Sequence, residues 1–159
     1  MTHAESPIPA GYHSLTPFIV CNDAAGAIEF YRRVFGAEVL SRNDGPGGKV
    51  LHAELRIGDS IFQLADPSAD YGLVAPNGDG TASASLVLYC ADVDAVFARA
   101  VEAGATVREP VQTFVTGDRF GTIVDPHGRR WAIMTRVEDV SREEAERRVQ
   151  AWLASNAAS

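Results

Sequence analysis

The most informative segment of this chain reads Gly117-Asp118-Arg119-Phe120-Gly121-Thr122-Ile123-Val124-Asp125-Pro126-His127-Gly128-Arg129-Arg130-Trp131-Ala132-Ile133. Two apolar runs flank its central Asp-Pro-His-Gly, in which Pro126 presets the backbone angle φ and Gly128 tolerates a positive φ. This pattern predicts a β-strand, a tight turn and a second β-strand, which together form a β-hairpin. The residues before the hairpin repeat an earlier part of the chain, and that repeat predicts the rest of the architecture.

The repeat is visible in three pairs of residues, each separated by 69 positions: Thr16 and Ser85, Cys21 and Cys90, and Asp23 and Asp92. Two glycines that are expected to end helices, Gly36 and Gly104, lie 68 positions apart. Each copy therefore predicts a strand, an Asp-capped helix and three further strands, which make a βαβββ module. One module alone leaves a face of its sheet exposed, so we expect two modules to pair, either within one chain or between two chains.

We expect one domain over residues 1–159, built from four parts. These are a first module over residues 12–66, a linker or lid over 67–82, a second module over 83–136 and a C-terminal helix over 141–154. The strands are predicted at 15–21, 39–42, 49–57 and 60–66, at 83–90 and 105–108, and in the hairpin. Residues 1–11 are typical of a loose N-terminal arm. Ser141 and Glu144 form a capping box for the last helix, which we expect to pack on the outside of the sheets or across a dimer interface.

Composition and charge exclude several classes of protein. The formal net charge is −7, and no clustered basic patch is present, so we expect neither nucleic acid nor a membrane surface as a partner. No apolar run approaches the roughly 20 residues that a membrane-spanning helix needs. The N-terminal residues lack the basic and apolar segments of a secretory signal, which predicts a cytoplasmic protein. The two cysteines, Cys21 and Cys90, are too few for a disulfide framework or a cysteine-rich zinc site.

Several motifs together resemble the vicinal oxygen chelate superfamily, which includes glyoxalase I, extradiol dioxygenases, fosfomycin-resistance transferases and bleomycin-resistance proteins. The motifs are Phe30-Tyr31-Arg32-Arg33-Val34-Phe35-Gly36, Asp92-Val93-Asp94-Ala95, Ala103-Gly104-Ala105 and Asp125-Pro126-His127-Gly128-Arg129-Arg130-Trp131. Three others are most similar to the PhnB-like branch: His52-Ala53-Glu54-Leu55-Arg56-Ile57-Gly58-Asp59, Gly117-Asp118-Arg119 and Val137-Glu138-Asp139-Val140-Ser141. The resemblance covers residues 12–150. It implies an α+β fold in which two tandem βαβββ modules form a cupped, barrel-like mixed sheet, assembled as a homodimer.

The resemblance also implies four positions at which metal-dependent members carry His, Glu or Gln ligands. In this sequence those positions are Thr16, Gln63, Ser85 and Ala132. Hydroxyl and methyl groups are poor ligands for a divalent cation, which leaves only Gln63 as a ligand of the usual kind. We therefore expect no metal ion and no other cofactor. A one-residue shift of the alignment could instead bring His52 or Asp66 inward.

The expected binding site combines aromatic walls with a few polar groups, as small-molecule pockets do. The candidate ligand-binding residues are Thr16, Phe18, His52, Gln63, Ser85, Tyr89, Phe114, Arg119 and Trp131. His52 and Glu54 alternate on one predicted strand, so they form either an acid-base pair in the cup or an ordinary exposed face. Arg119, next to Asp118, either guards the mouth of the cup or belongs to a structural ion pair. No catalytic residue is assigned.

Three functional hypotheses follow. The first is a protein of the glyoxalase and bleomycin-resistance type that binds a small amphipathic or aromatic molecule in the cup without a metal, for which no bond need break. The alternative is a metal-dependent lyase, isomerase or dioxygenase, in which Gln63, His52 and Asp66 hold a divalent cation that polarises a substrate oxygen. The third is an interaction module that uses the C-terminal helix, residues 141–159.

Overall fold

Two units of the same topology make up the protein, as seen in a computed structural model that describes residues 6–157. The first unit is Met1–Thr81 with His127–Arg129, and the second is Ala82–Pro126 with Arg130–Ser159. The first contains, in chain order, β1 (Phe18–Val20), α1 (Ala24–Phe35), β2 (Glu38–Asp44), β3 (Val50–Ile57) and β4 (Ser60–Ala65). The second contains β5 (Ser85–Tyr89), α2 (Val93–Glu102), β6 (Thr106–Thr113), β7 (Asp118–Val124), β8 (Arg130–Arg136) and α3 (Arg142–Asn156).

Each unit carries a mixed sheet of four strands. The strand order is β1-β4-β3-β2 in the first unit and β5-β8-β7-β6 in the second. The first strand of each module is parallel to the last, and the other neighbours are antiparallel. These are the two predicted βαβββ modules. Neither four-stranded sheet closes on itself within the described residues.

The strand register reproduces the sequence repeat residue by residue. Phe18 pairs with Gln63 in the first sheet and Val87 with Ala132 in the second, so the outer parallel pairs keep the offset of 69. Ser41 pairs with Glu54, and Glu109 pairs with Thr122, so the second and third strands are offset by 68. The offset returns to 69 in the last strand of each module, because five residues separate the paired Val124 and Arg130, whereas four separate the equivalent pair Arg56 and Ile61.

The predicted helix ends are confirmed by their capping geometry. The Asp23 side chain accepts a hydrogen bond from the Gly26 amide at 3.1 Å, and Asp92 accepts one from Ala95 at 3.0 Å. Gly36 ends α1 in the left-handed region, at φ 68°. The Ser141 hydroxyl accepts a bond from the Glu144 amide at 3.2 Å and begins α3.

Two strands differ from their predicted bounds by three residues or more at one end. The first is shorter, because Pro17 has no amide proton and pairing of β1 begins only at Phe18. The strand β6 is longer than the predicted 105–108, and it continues through Pro110 to Thr113. It lies at the edge of its sheet and its register shifts twice, between Val107 and Glu109 and between Glu109 and Gln112. An edge strand with bulges tolerates a proline that a central strand does not.

The two remaining segments are the connection between the modules, predicted as a linker or lid, and the C-terminal helix. Residues 67–82 contain a short 3-10 helix, Ala69–Tyr71, and a bridge between Ser68 and Leu73. The C-terminal helix α3 lies against the residues that follow β6, where the rings of Phe114 and Trp152 are 5.2 Å apart. Its apolar stripe is only partly covered, because Trp152 remains 41% exposed. Among the residues that the structure describes, no helix is both long and apolar enough to cross a membrane.

Candidate functional site

One face of each sheet is covered by the helix of its own module. Phe62 of β4 contacts Tyr31 of α1 with ring centroids 5.9 Å apart, and Gly121 of β7 lies so close to α2 that an added Cβ would sit 2.6 Å from Phe97. Side chains alternate along a strand, so the neighbours of these residues point to the opposite face. We call these opposite faces the first open face, on β1–β4, and the second open face, on β5–β8.

A row of side chains crosses the first open face in register. Phe18, Gln63, Glu54 and Ser41 come from β1, β4, β3 and β2 and are direct cross-strand neighbours. Ser41 Oγ donates to Glu54 Oε2 at 3.1 Å, and Gln63 Nε2 donates to Glu54 Oε1 at 3.4 Å. The two neutral donors hold the carboxylate in place at the centre of the face.

The N-terminal arm adds Tyr12 to this row. Residues 9–12 form a turn, with the Tyr12 amide donating to the Pro9 carbonyl at 3.1 Å. The Tyr12 hydroxyl is buried and makes no hydrogen bond of ordinary geometry with residues 6–157. It nevertheless lies near Glu54. Interaction with this hydroxyl is the main cause that lowers the pKa of Glu54, and the carboxylate in turn raises the pKa of Tyr12.

The ring of Phe18, at the end of this row, lies next to the ring of His52. Phe18 is 43% exposed, although large apolar side chains of a strand are usually covered. Its ring centroid lies 6.1 Å from that of His52, with an angle of 33° between the ring planes. His52 and Glu54 share the first open face, as the alternation predicted. The hydrogen bonds of Glu54 described above come from Ser41 and Gln63, so the geometry does not single out a His52–Glu54 acid-base pair.

Asp66 is engaged in holding the backbone. Its Oδ1 accepts from the Ala24 amide at 2.9 Å and its Oδ2 from the Val50 amide at 2.7 Å, so it links the start of α1 to the start of β3. Thr135, its repeat partner, accepts from the Val93 amide at 2.9 Å at the start of α2. The repeat thus uses both positions to anchor a helix.

The second open face has a different distribution of charge. Ser85, at the start of β5, lies beside Arg130 in register, and Tyr89 of the same strand is 60% exposed. The Glu109 carboxylate accepts from Thr122 Oγ1 at 2.6 Å and pairs with Arg130 at 3.0 Å. The negative charge on this face is therefore neutralised by a guanidinium group.

Two of the predicted ligand-binding residues point to the helix side of their sheet. Trp131 is 3% exposed there, and its Nε1 donates to Asp125 Oδ2 at 3.0 Å. Arg119 points to the same side, where it pairs with Asp94 of α2 at 2.6 Å. Phe114 follows β6, and its ring lies 6.3 Å from that of Phe120 of β7 and 5.2 Å from that of Trp152 of α3. Because a one-residue step along a strand reverses the face, the sequence pattern alone did not assign these side chains.

The four positions implied for a metal do not form a suitable donor set. Thr16 precedes β1, and its hydroxyl donates to the His13 carbonyl at 3.4 Å. Gln63 uses its amide on Glu54, Ser85 offers a hydroxyl and Ala132 offers a methyl group. No group of three or more His, Cys, Asp or Glu side chains that could hold a metal ion occurs in the part of the chain that the structure describes. That the protein binds no metal ion remains a prediction.

Comparisons with known proteins point to one family. Residues 11–133 match the model of the Glyoxalase/Bleomycin resistance protein/Dioxygenase superfamily. Protein Mb0911c of Mycobacterium bovis is 40% identical over 134 residues, which are 82% of this chain and 88% of that protein. TioX from Micromonospora sp. ML1 has a similar structure, with a TM-score of 0.61 and 23% identity over 81% of this chain and 100% of its own. The PhnB protein from Bacillus cereus has a TM-score of 0.58 and 23% identity over 77% and 99%.

Proposed function

Because the chain belongs to the Glyoxalase/Bleomycin resistance protein/Dioxygenase superfamily, we propose that it binds a small amphipathic or aromatic molecule on its first open face without a metal ion. The observation that carries this proposal is the juxtaposition of Phe18 with the polar row of Gln63 and Glu54. An exposed ring next to a few fixed polar groups is the composition of a small-molecule site. The ring supplies apolar contact area, and the polar row orients the ligand.

The arrangement supports binding better than metal-dependent catalysis. The alternative enzyme would require Gln63, His52 and Asp66 to coordinate a cation. Both oxygens of Asp66 already accept backbone amides, from Ala24 at the start of α1 and Val50 at the start of β3. A metal that displaced these amides would release the starts of both elements. Binding a ligand without a reaction requires no metal and no such release, since affinity alone suffices. The cytoplasmic location and the homodimer stay predictions.

A thermal-shift screen of aromatic metabolites and antibiotics tests the proposal. A ligand at 100 times its Kd stabilises the folded protein by about 2.7 kcal/mol, which for a chain of this size corresponds to a rise of roughly 5–10 °C in Tm. Phe18→Ala should weaken binding of any hit about 10-fold or more, because truncating a contact aromatic removes its buried area. The matched control is Tyr71→Ala, which alters a ring that is 82% exposed and lies outside the open face.

The result separates the two functions. Stabilisation of chelator-stripped protein that Phe18→Ala reduces by about half or more, as a roughly 10-fold weaker Kd predicts, and that Tyr71→Ala leaves intact supports the metal-free site. Stabilisation that appears only after a divalent metal is added supports the enzyme instead. Equal loss in both variants would mean that the ligand does not use this face.

A further inference from the structure

Glu54 is a carboxylate without a cationic partner among residues 6–157. The ion pairs in this part of the chain do not include it, and its hydrogen-bond donors, Ser41 and Gln63, are neutral. A carboxylate offers about four acceptor sites, and Ser41, Gln63 and the nearby Tyr12 hydroxyl account for three of them, so about one remains open. The buried Tyr12 hydroxyl next to it also lacks a bond of ordinary geometry.

The internal repeat provides a comparison within the same molecule. In the second module the carboxylate and the hydroxyl exchange strands, since Glu109 stands where Ser41 does and Thr122 where Glu54 does. There the charge is neutralised by Arg130, whose place in the first module is taken by Ile61. The two copies of this polar pair thus differ in the strand that carries the carboxylate and in the presence of an internal cation.

The neighbouring charges do not supply that cation. On β3, Arg56 lies two residues from Glu54 on the same face, but it pairs with Glu38 of β2 at 2.5 Å. His52, on the other side, lies against Phe18 and forms no ion pair with Glu54, although its charge is one of the smaller causes that lower the pKa of Glu54. Glu54 faces Gln63 on β4, Ser41 on β2 and Tyr12 on the arm, none of which carries a positive charge.

We propose that the first open face selects a ligand that joins an aromatic group to a protonated amine or amidine, with the cation at Glu54 and the aromatic group on Phe18. This inference rests on the proposed function and adds the ligand's charge to it. Neighbouring strands are about 4.8 Å apart, and only β4 separates Phe18 from Glu54. Both contacts therefore fit a single molecule of the size of tryptamine.

Three indoles of equal size but different charge test the inference by calorimetric titration at pH 7. Tryptamine is a cation, tryptophol is neutral and indole-3-acetate is an anion. We expect tryptamine to bind about 10-fold more tightly than tryptophol, because hydrogen bonds to a charged group are roughly twice as strong as neutral ones. Indole-3-acetate should bind more weakly than tryptophol. In Glu54→Gln the preference for tryptamine should fall to within about 2-fold.

Glu109→Gln is the matched control, because it removes the carboxylate from the same polar pair of the second module, where Arg130 neutralises it. It should keep the preference for tryptamine. Equal binding of all three indoles to the wild-type protein would overturn the cation preference and leave the proposed function standing. Failure of all three to bind would count against the aromatic site itself. The wild-type comparison needs no variant, so it holds even if Glu54→Gln does not fold.

Discussion

Asp66 has a structural role that its sequence context did not reveal. Its carboxylate accepts hydrogen bonds from the backbone amides of Ala24 and Val50, at the starts of α1 and β3. In the sequence, however, Asp66 simply follows the end of β4. Replacing it with alanine leaves the amides of two buried residues, Ala24 and Val50, without this acceptor, and hydrogen bonds to a charged group contribute about 1.5–3 kcal/mol each. We expect Asp66→Ala to lower the free energy of unfolding in urea by about 3 kcal/mol.

The control for this prediction is Asp70→Ala, on the exposed 3-10 helix after β4. It should change the free energy of unfolding by less than about 0.5 kcal/mol. Asp66→Asn keeps one acceptor oxygen and should fall between the two. A free energy for Asp66→Ala within about 0.5 kcal/mol of the wild type would show that the two amide bonds contribute little.

Other single residues of the site lay beyond sequence reasoning for a similar reason. Tyr12 is 42 residues from Glu54 in the chain, and no local pattern connects the two. Gln63 was identified through the module repeat, and Phe18 as a candidate aromatic wall. Trp131 and Arg119 were named as candidates for the cup, with an ion pair as the alternative for Arg119, and both lie on the helix side of their sheet, where Arg119 pairs with Asp94. A sequence motif predicts the strand on which a residue lies, but the sheet face to which its side chain points depends on the strand register.

The helix α3 is fixed at its start by charged groups. Glu144 accepts hydrogen bonds from Arg147 and Arg148, and these arginines, Arg147 first, hold the pKa of Glu144 at about 2. Arg148 also binds Glu138 and the Val115 carbonyl. A carboxyl group whose pKa is lowered on folding stabilises the folded form above its unfolded pKa, near 4.5. That contribution is lost as the pH falls from about 4.5 to about 2.

We therefore expect amide hydrogen exchange in residues 142–156 to show less protection as the pH is lowered through this range, after correction for the intrinsic rate. Glu144→Gln removes one of the titrating groups and should weaken this dependence. An unchanged acid dependence in Glu144→Gln would contradict the role given to this carboxylate.

The elements as a group followed the sequence closely where local signals were strong. Asp23, Asp92 and Ser141 cap their helices as predicted, because capping depends on residues within one turn. The end of β6 could not be predicted in the same way. Its Pro110 is a strand breaker by local rules, and only its place at the sheet edge explains why pairing continues.

The whole molecule is a duplication whose two halves have diverged in chemistry. The offset of 69 found in the sequence reappears in the register of both parallel strand pairs, so the fold was predictable from one sequence. The difference in charge between the two open faces was not, since it depends on which strand carries the carboxylate and on whether Arg130 or Ile61 lies beside it. One open face holds an unpaired negative charge, and its counterpart holds a neutral pair.

We propose that the first open face binds its ligand without a metal ion, and a calorimetric titration with metals tests this proposal. Chelator-stripped protein would be titrated separately with nickel, zinc, manganese and iron(II). We expect no metal to bind with a Kd below about 1 μM, which corresponds to about 8.2 kcal/mol. Binding of one ion per chain below that limit, abolished by Gln63→Ala, would contradict the account and establish the metal site.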